Sequence, residues 1–229
     1  MKMKDLALAQ VRRGERFTLD SVEFVKLEDD LGAAFVVGAD TLPECCQFDD
    51  AEREDHNNFA GSLLSKTMER WLRDKHPAIF SAVVERLIDL TTMDGTTDYG
   101  KPLAVVRALT IDEYRKHRSI LPLASKPYWL ATGWTTNSPP NSNANYAYYI
   151  YTGGTVNNSD VYDTYFAPRL ALYLKSSILV SVETEDEGKA LAEEVNCPAG
   201  AREAGLGRYS DTDLIDELYR RRRRTYDPD

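Results

Sequence analysis

The chain has 229 residues, of which 42% are hydrophobic and 28% charged, with 28 Lys and Arg against 37 Asp and Glu and a net charge of -9 at pH 7. This balance belongs to a globular chain and excludes disorder as its overall state. An acidic surface argues against nucleic acid as a partner, because phosphate contacts need local positive charge, and no apolar run reaches the roughly 18 residues of a membrane span, so no membrane insertion is expected.

Residues 6–9 are the only apolar stretch near the start, too short for the roughly 7–15-residue core of a secretory signal. Synthesis in the cytoplasm without a signal peptide is the expectation. The three cysteines are Cys45, Cys46 and Cys197. The first two are adjacent, where a mutual disulfide would be strained. Neither they nor His56, His76 and His117 show zinc-ligand spacing, so no metal and no cofactor is expected.

In chain order, residues 17–25 alternate apolar and polar and predict a strand pair or one bent strand. Residues 32–38 (GAAFVVG) predict a buried strand. Asp29-Asp30 suits the hairpin turn that would pair 22–27 with 33–37. Residues 48–58 have no period and predict a loop. Residues 62–75 place Leu63, Leu64, Met68, Trp71 and Leu72 at helical spacing, with Ser62 as cap and His76-Pro77 as the stop. A second helix is predicted over 78–88, with Ile79, Val83, Leu87 and Ile88 on one face. A strand over 105–109 leads to a short helix over 111–117, where Thr110 and Glu113 form a capping box.

Residues 127–130 predict a strand with a Trp, and 147–151 another. Gly153-Gly154 predicts a two-residue hairpin turn with positive φ at both positions. The return strand begins at Thr155-Val156, a polar turn is read at 157–160, and 170–182 is the strongest strand signal. That last strand is predicted to pair with 17–25, closing the two ends together. The predicted core holds Phe24, Leu64, Trp71, Leu72, Phe80, Leu87, Leu109, Trp129, Ile150, Leu172 and Leu174. Residues 184–195 and 211–224 predict charged helices. The second ends in five arginines, Arg220 to Arg224, which suit a helix C-terminus and offer a docking handle for a virion or larger assembly.

Enzyme signatures are missing: no G-x-G-x-x-G, P-loop, G-x-S-x-G or H-E-x-x-H. The pairs Asp29-Asp30 and Asp49-Asp50 read as solvated turn residues, so no catalytic residue is assigned. The informative window is 132–165. It holds six of the nine Asn, six of the 13 Tyr and only two charges, Asp160 and Asp163. Tyr offers large contact area with few rotors and Asn adaptable hydrogen bonds, the composition of an evolved recognition surface. An ordinary polar β-meander with Tyr on its wet face has the same composition.

Several stretches resemble an uncharacterised family of prophages and human gut bacteria. Trp71-Leu72-Arg73 matches its W-L-R, and residues 109–114 (LTIDEY) match its L-[LT]-x-x-E-Y. Residues 128–132 (YWLAT) match an altered W-W-L-R-[ST]-P. Ala147-Tyr148-Tyr149-Ile150 with Gly154-Thr155-Val156 matches A-Y-Y-V-x-x-x-G-x-V. Residues 167–174 (APRLALYL) match V-R-P-A-L-Y-L with Arg and Pro exchanged. The resemblance covers residues 15–180. It implies an α+β, C-type-lectin-like fold with two main helices, an antiparallel meander and paired N- and C-terminal strands. It further implies kinship with the variable proteins of diversity-generating retroelements, in which adenine-directed mutagenesis rewrites Asn- and Tyr-rich positions. The cysteine pair of the related formylglycine-generating enzymes has no counterpart, and the calcium and sugar motifs of true lectins are absent.

The resulting expectation is a non-enzymatic phage or prophage ligand- or receptor-binding protein. Residues 1–182 would form the binding domain and 183–229 a small helical extension. The diversified surface would be Trp134, Asn137, Asn141, Asn143, Asn145, Tyr146, Tyr148, Asn157, Asn158, Ser159, Asp160, Tyr162, Asp163 and Tyr165. Its partner would be a protein or glycan ligand on a cell surface, reached from a phage particle. A virion structural accessory with a fixed surface, or an enzyme with an unrecognised site, are the alternatives.

Overall fold

The first strand pairs with the last. In the computed structural model, which describes residues 2–50, 53–139 and 143–184, β1 (Lys2–Ala7) runs antiparallel to β11 (Leu179–Thr184), Lys2 facing Thr184 and Ala7 facing Leu179. β11 then meets β2 (Arg16–Leu19) at Ser181 and Thr18. Two hairpins continue the sheet through β3 (Val22–Asp30) and β4 (Ala33–Gly38), and β10 (Ala171–Lys175) closes it in the order β1-β11-β2-β3-β4-β10. The predicted closure of the ends is therefore present. The segment 170–182 is two strands, however, and only the second reaches β2. The first pairs with β4, Tyr173 facing Phe35. The charged stretch that becomes β1 gave no strand signal of its own; it is a strand because β11 offers it a partner.

Both hairpins turn on two consecutive residues with positive φ, Asp20-Ser21 and Leu31-Gly32, as the right-handed twist of the flanking strands requires. The second turn thus lies two residues beyond Asp29-Asp30, which end β3. The run 33–38 is continuously apolar because β4 is buried on both faces. Ala34 and Val36 join a core with α1 (Leu63–Lys75), through Leu64, Met68 and Leu72. Phe35 and Val37 join another with α3 (Ile111–His117), through Ile111 and Tyr114.

Helix α1 begins where Ser62 accepts the Ser65 N–H, at 3.1 Å, and α3 at the full Thr110–Glu113 capping box. The predicted second helix is shorter than the sequence pattern suggests, so the chain has one main helix among its described residues rather than two: α2 is Pro77–Ala82. From Val83 the backbone is drawn onto β10, with Val83 bridged to Leu174 and the Val84 N–H donated to Tyr173 O at 2.8 Å. Two β-branched residues favour that extended path. Leu87 then falls in β5 (Arg86–Leu87), paired with β6 (Leu103–Ala104). It is 59% exposed, not core, and Trp71 and Phe80 are only partly buried. The other eight predicted core residues are buried. No strand spans 105–109; Arg107 makes a single bridge to Ala171.

A three-stranded antiparallel meander, β7 (Tyr128–Gly133), β8 (Tyr146–Ile150) and β9 (Val156–Asp160), carries the Tyr/Asn-rich window. The chain is thus α+β with antiparallel sheets. Residues 157–160 are strand, not turn, held by pairing with residues 146–149 of β8. In the β8–β9 connection only Gly154 takes positive φ, at 80°. The Gly154 N–H bonds Tyr151 O and the Tyr151 N–H bonds Thr155 O, so the loop has three residues, not two. The predicted helices at 184–195 and 211–224, the Arg220–Arg224 run and Cys197 lie outside the described residues.

Candidate functional site

The meander is anchored by residues that alternate between the two cores. Trp129, Ala131, Ala147 and Tyr149 point into the core with α1, and Tyr128, Leu130, Tyr148 and Ile150 into the core with α3. Trp129 is completely buried. Its indole N–H donates to Cys46 O at 3.0 Å, and its ring touches Phe48, Tyr149 and Phe166. Arg169 holds the neighbouring corner. Its guanidinium donates to Gly38 O, Ala39 O and Pro122 O at 3.0–3.1 Å and lies over the Tyr128 ring.

Between β7 and β8 the chain leaves the sheet for the loop that starts at Trp134. One buried side chain ties both ends of it. Asn57 is 0% exposed, and its amide donates to Thr135 O and to Tyr146 O, each at 2.8 Å, while its carbonyl oxygen accepts the Tyr99 hydroxyl at 2.7 Å. The Trp134 N–H also bonds Tyr146 O. A second tie comes from Asp98, which accepts the hydroxyls of Thr136 and Ser138. Asn57 sits against Gly133, where an added Cβ would lie 2.8 Å from the Asn57 amide carbon. Gly133→Ala is therefore expected to displace Asn57 and lower stability by about 1–3 kcal/mol, read as a shifted urea midpoint with an unchanged slope.

The loop 88–102 is fastened in the same way. Asp94 is pushed up by burial, but the hydroxyls of Thr135 and Thr92 and the Thr96 N–H outweigh this and hold it at about 2. Hydrogen bonds from Lys101 and Thr91 hold Asp89 at about 2 as well. Both values lie below the ordinary 3.8, so the unfolded chain takes up protons first on acidification. The stability these carboxylates contribute is complete above about pH 4 and is lost as the pH falls towards 2. Urea midpoints should decline over that window, and Asp94→Asn should flatten the decline.

Directly opposed residues of an antiparallel pair share a face, which sorts the predicted site residues. Tyr146 and Tyr148 stand opposite Asp160 and Asn158 on one face. Trp134 joins them there, its ring stacked on Tyr148 at 5.9 Å and an interplanar angle of 5°. Trp134 is 43% exposed and Tyr146 38%, whereas Tyr148 is buried beneath. Met93 borders this face through its N–H bond to Gly133 O, and the Arg115 guanidinium reaches the Met93 sulfur.

Asn157 and Ser159 lie on the opposite face, across from Tyr149 and Ala147. Ser159 bonds Asp163 there. The Asp160 carboxylate accepts the Tyr162 N–H, and the Tyr162 ring is set edge-on to His56. Tyr165 is exposed. Asn137, Asn143 and Asn145 are exposed on the β7–β8 loop, Asn143 bonded through its N–H to Thr136 O and Asn145 through its carbonyl to the Val161 N–H. Asn141 lies outside the described residues. The 13 described residues of the predicted site thus form two faces and a loop rather than one surface.

Asp49 is a correction of a different kind. It is buried, not solvated. One carboxylate oxygen caps α1 at the Leu63 N–H, at 3.0 Å, and the other meets Arg53 at 3.2 Å. Burial raises its pKa against these partners. The Cys46 thiol, pushed up to about 12 by burial, is a poor nucleophile. Among the described residues no group of three or more His, Cys, Asp and Glu could hold a metal ion, and no helix is long and apolar enough to cross a membrane.

Asn57, Tyr99 and Gly133 are supports of the β7–β8 loop that sequence reading missed. The adjacent glycine and tryptophan at the strand end were the available signal, since a glycine inside a strand often marks close approach of another group. No protein-family model, curated protein or solved structure matches the chain.

Proposed function

We propose that this chain is a non-enzymatic ligand-binding protein of phage or prophage type, whose exposed side chains between Trp134 and Tyr165 form a diversified binding surface. The observation that carries this reading is the division of labour in the meander. Exposed Trp, Tyr and Asn stand on a backbone whose loop ends are held from beneath by fully hydrogen-bonded Asn57. Substitutions at the rim leave that clamp untouched. The paired terminal strands and a separate small sheet bearing the Tyr/Asn window support a C-type-lectin-like reading of the α+β fold.

The face built by Trp134, Tyr146, Asn158 and Asp160 is the principal contact. Tyr148 stiffens it by stacking under Trp134, so the aromatic area is presented at low entropic cost. The loop residues Asn137, Asn143 and Asn145 form its adaptable rim. The ligand is a protein or glycan of a cell surface.

The test is binding of labelled full-length protein to a panel of intact bacterial cells. Wild type should stain at least one strain, and Trp134→Ala with Tyr146→Ala should reduce staining at least tenfold with an unchanged melting temperature. Binding to no strain, or undiminished binding by the double variant, would overturn the reading.

A further inference from the structure

A groove of about 240 Å³ runs between α1 and β6, with no meander residue in its lining. Residues 102–106 form one wall and Ser65, Lys66 and Glu69 of α1 the other, with buried Phe59 and Ile88 lining the base. Three features distinguish it from an ordinary surface depression.

The first is an open strand edge. The Ile88 N–H bonds Pro102 O and the Leu90 N–H bonds Gly100 O. In this register, where Leu87 faces Leu103 and Arg86 faces Ala104, hydrogen-bonded pairs fall at 86, 88 and 90. Leu87 and Leu103 are then a non-hydrogen-bonded pair, and the N–H and C=O of Leu103 point away from β5. No described residue takes them up. The second is exposed apolar surface beside this edge: Leu103 is 64% exposed, and Leu87 opposite it is similarly bare. The third is charge. The Glu69 carboxylate is engaged by Arg73, whereas the Lys66 ammonium makes no ion pair or hydrogen bond with another described residue.

We infer that this groove binds an extended peptide segment of a partner protein, added as a strand to β6, with a bulky apolar side chain in the groove and a carboxylate at Lys66. Main-chain bonds to Leu103 give such a segment its register, and the groove reads its side chain. A short edge flanked by a helix limits pairing to a few residues, which suits a linear motif rather than sheet-to-sheet aggregation. The site is independent of the Trp134 face.

The experiment is selection from a displayed library of random dodecapeptides on the full-length protein, followed by affinity measurement with the synthetic winners. Winners should combine an acidic residue with a large apolar one. They should bind Leu103→Pro, which removes the edge N–H, at least tenfold more weakly. They should also bind Lys66→Glu at least tenfold more weakly, with recovery when the peptide acid is exchanged for Lys. Trp134→Ala should leave their affinity unchanged. If Leu103→Pro lowers the melting temperature, the Lys66 charge exchange alone decides. The inference is overturned if no such peptides are enriched, if winners bind Lys66→Glu undiminished, or if the free protein self-associates through an interface that Leu103→Pro abolishes, which would assign the groove to a second copy.

Discussion

Asn57→Ala should destabilise the protein by about 3–5 kcal/mol, among the largest effects of any single polar truncation here. The substitution strips Thr135 O of its donor, leaves the Tyr99 hydroxyl without its acceptor, and takes one of two donors from Tyr146 O, which keeps the Trp134 N–H. Each buried polar group left unsatisfied costs about 1–3 kcal/mol. Because the bonds tie the two ends of one loop, the loss should also be local. Hydrogen exchange of amides at 134–136 and 143–147 should accelerate more than that of β3 and β4, beyond what global destabilisation gives. Tyr99→Phe, which removes one partner and keeps the ring, should cost about 1 kcal/mol. Equal costs for the two variants in denaturant titrations would mean that Asn57 is not the hub.

Arg169→Leu should cost about as much, through the larger sheet. Arg169 is 1% exposed and donates to the carbonyls of Gly38, Ala39 and Pro122. Removing it strands three acceptors and the contact with the Tyr128 ring, a loss of about 3–5 kcal/mol. Arg169→Lys should recover only a minority of it, since an ammonium cannot reproduce a planar fork reaching three carbonyls. Full recovery by lysine would reduce the role of Arg169 to its charge. This is the residue at which the sequence exchanges Arg and Pro relative to the motif it resembles. The structure gives that arginine a framework role.

Local rules carried much of the fold. The 22–27/33–37 hairpin, α1 with its Ser62 cap, the Thr110–Glu113 box and the meander are visible in the residues because each depends on neighbours in sequence. The errors occur where a distant partner decides. The helix expected to Ile88 stops at Ala82 because β10 takes the Val84 N–H. Residues 157–160, all strong turn formers, become strand because β8 supplies a ladder. β9 is an edge of its sheet, where Asn and Asp are tolerated. Asp49 and Asn57 lie in an aperiodic polar loop that looks solvated in sequence. Only the closure of the fold around α1 and β7 shows that they are buried and bonded.

The site was legible in composition but not in arrangement. The density of Tyr and Asn between 132 and 165 marks the meander. The period of two that splits it into faces could be applied only once β9 was known to be a strand. Trp134 and Tyr146 then fall with Asn158 and Asp160, and Asn157 and Ser159 fall opposite.

The most direct measurement is to sequence this gene across many isolates and count substitutions by codon and position. A diversified surface on a fixed frame predicts changes concentrated at adenines of the exposed positions between 134 and 165, with Asn57, Tyr99, Trp129, Gly133 and Arg169 unchanged. Substitutions spread evenly along the chain, or falling on the clamp as often as on the rim, would contradict the account.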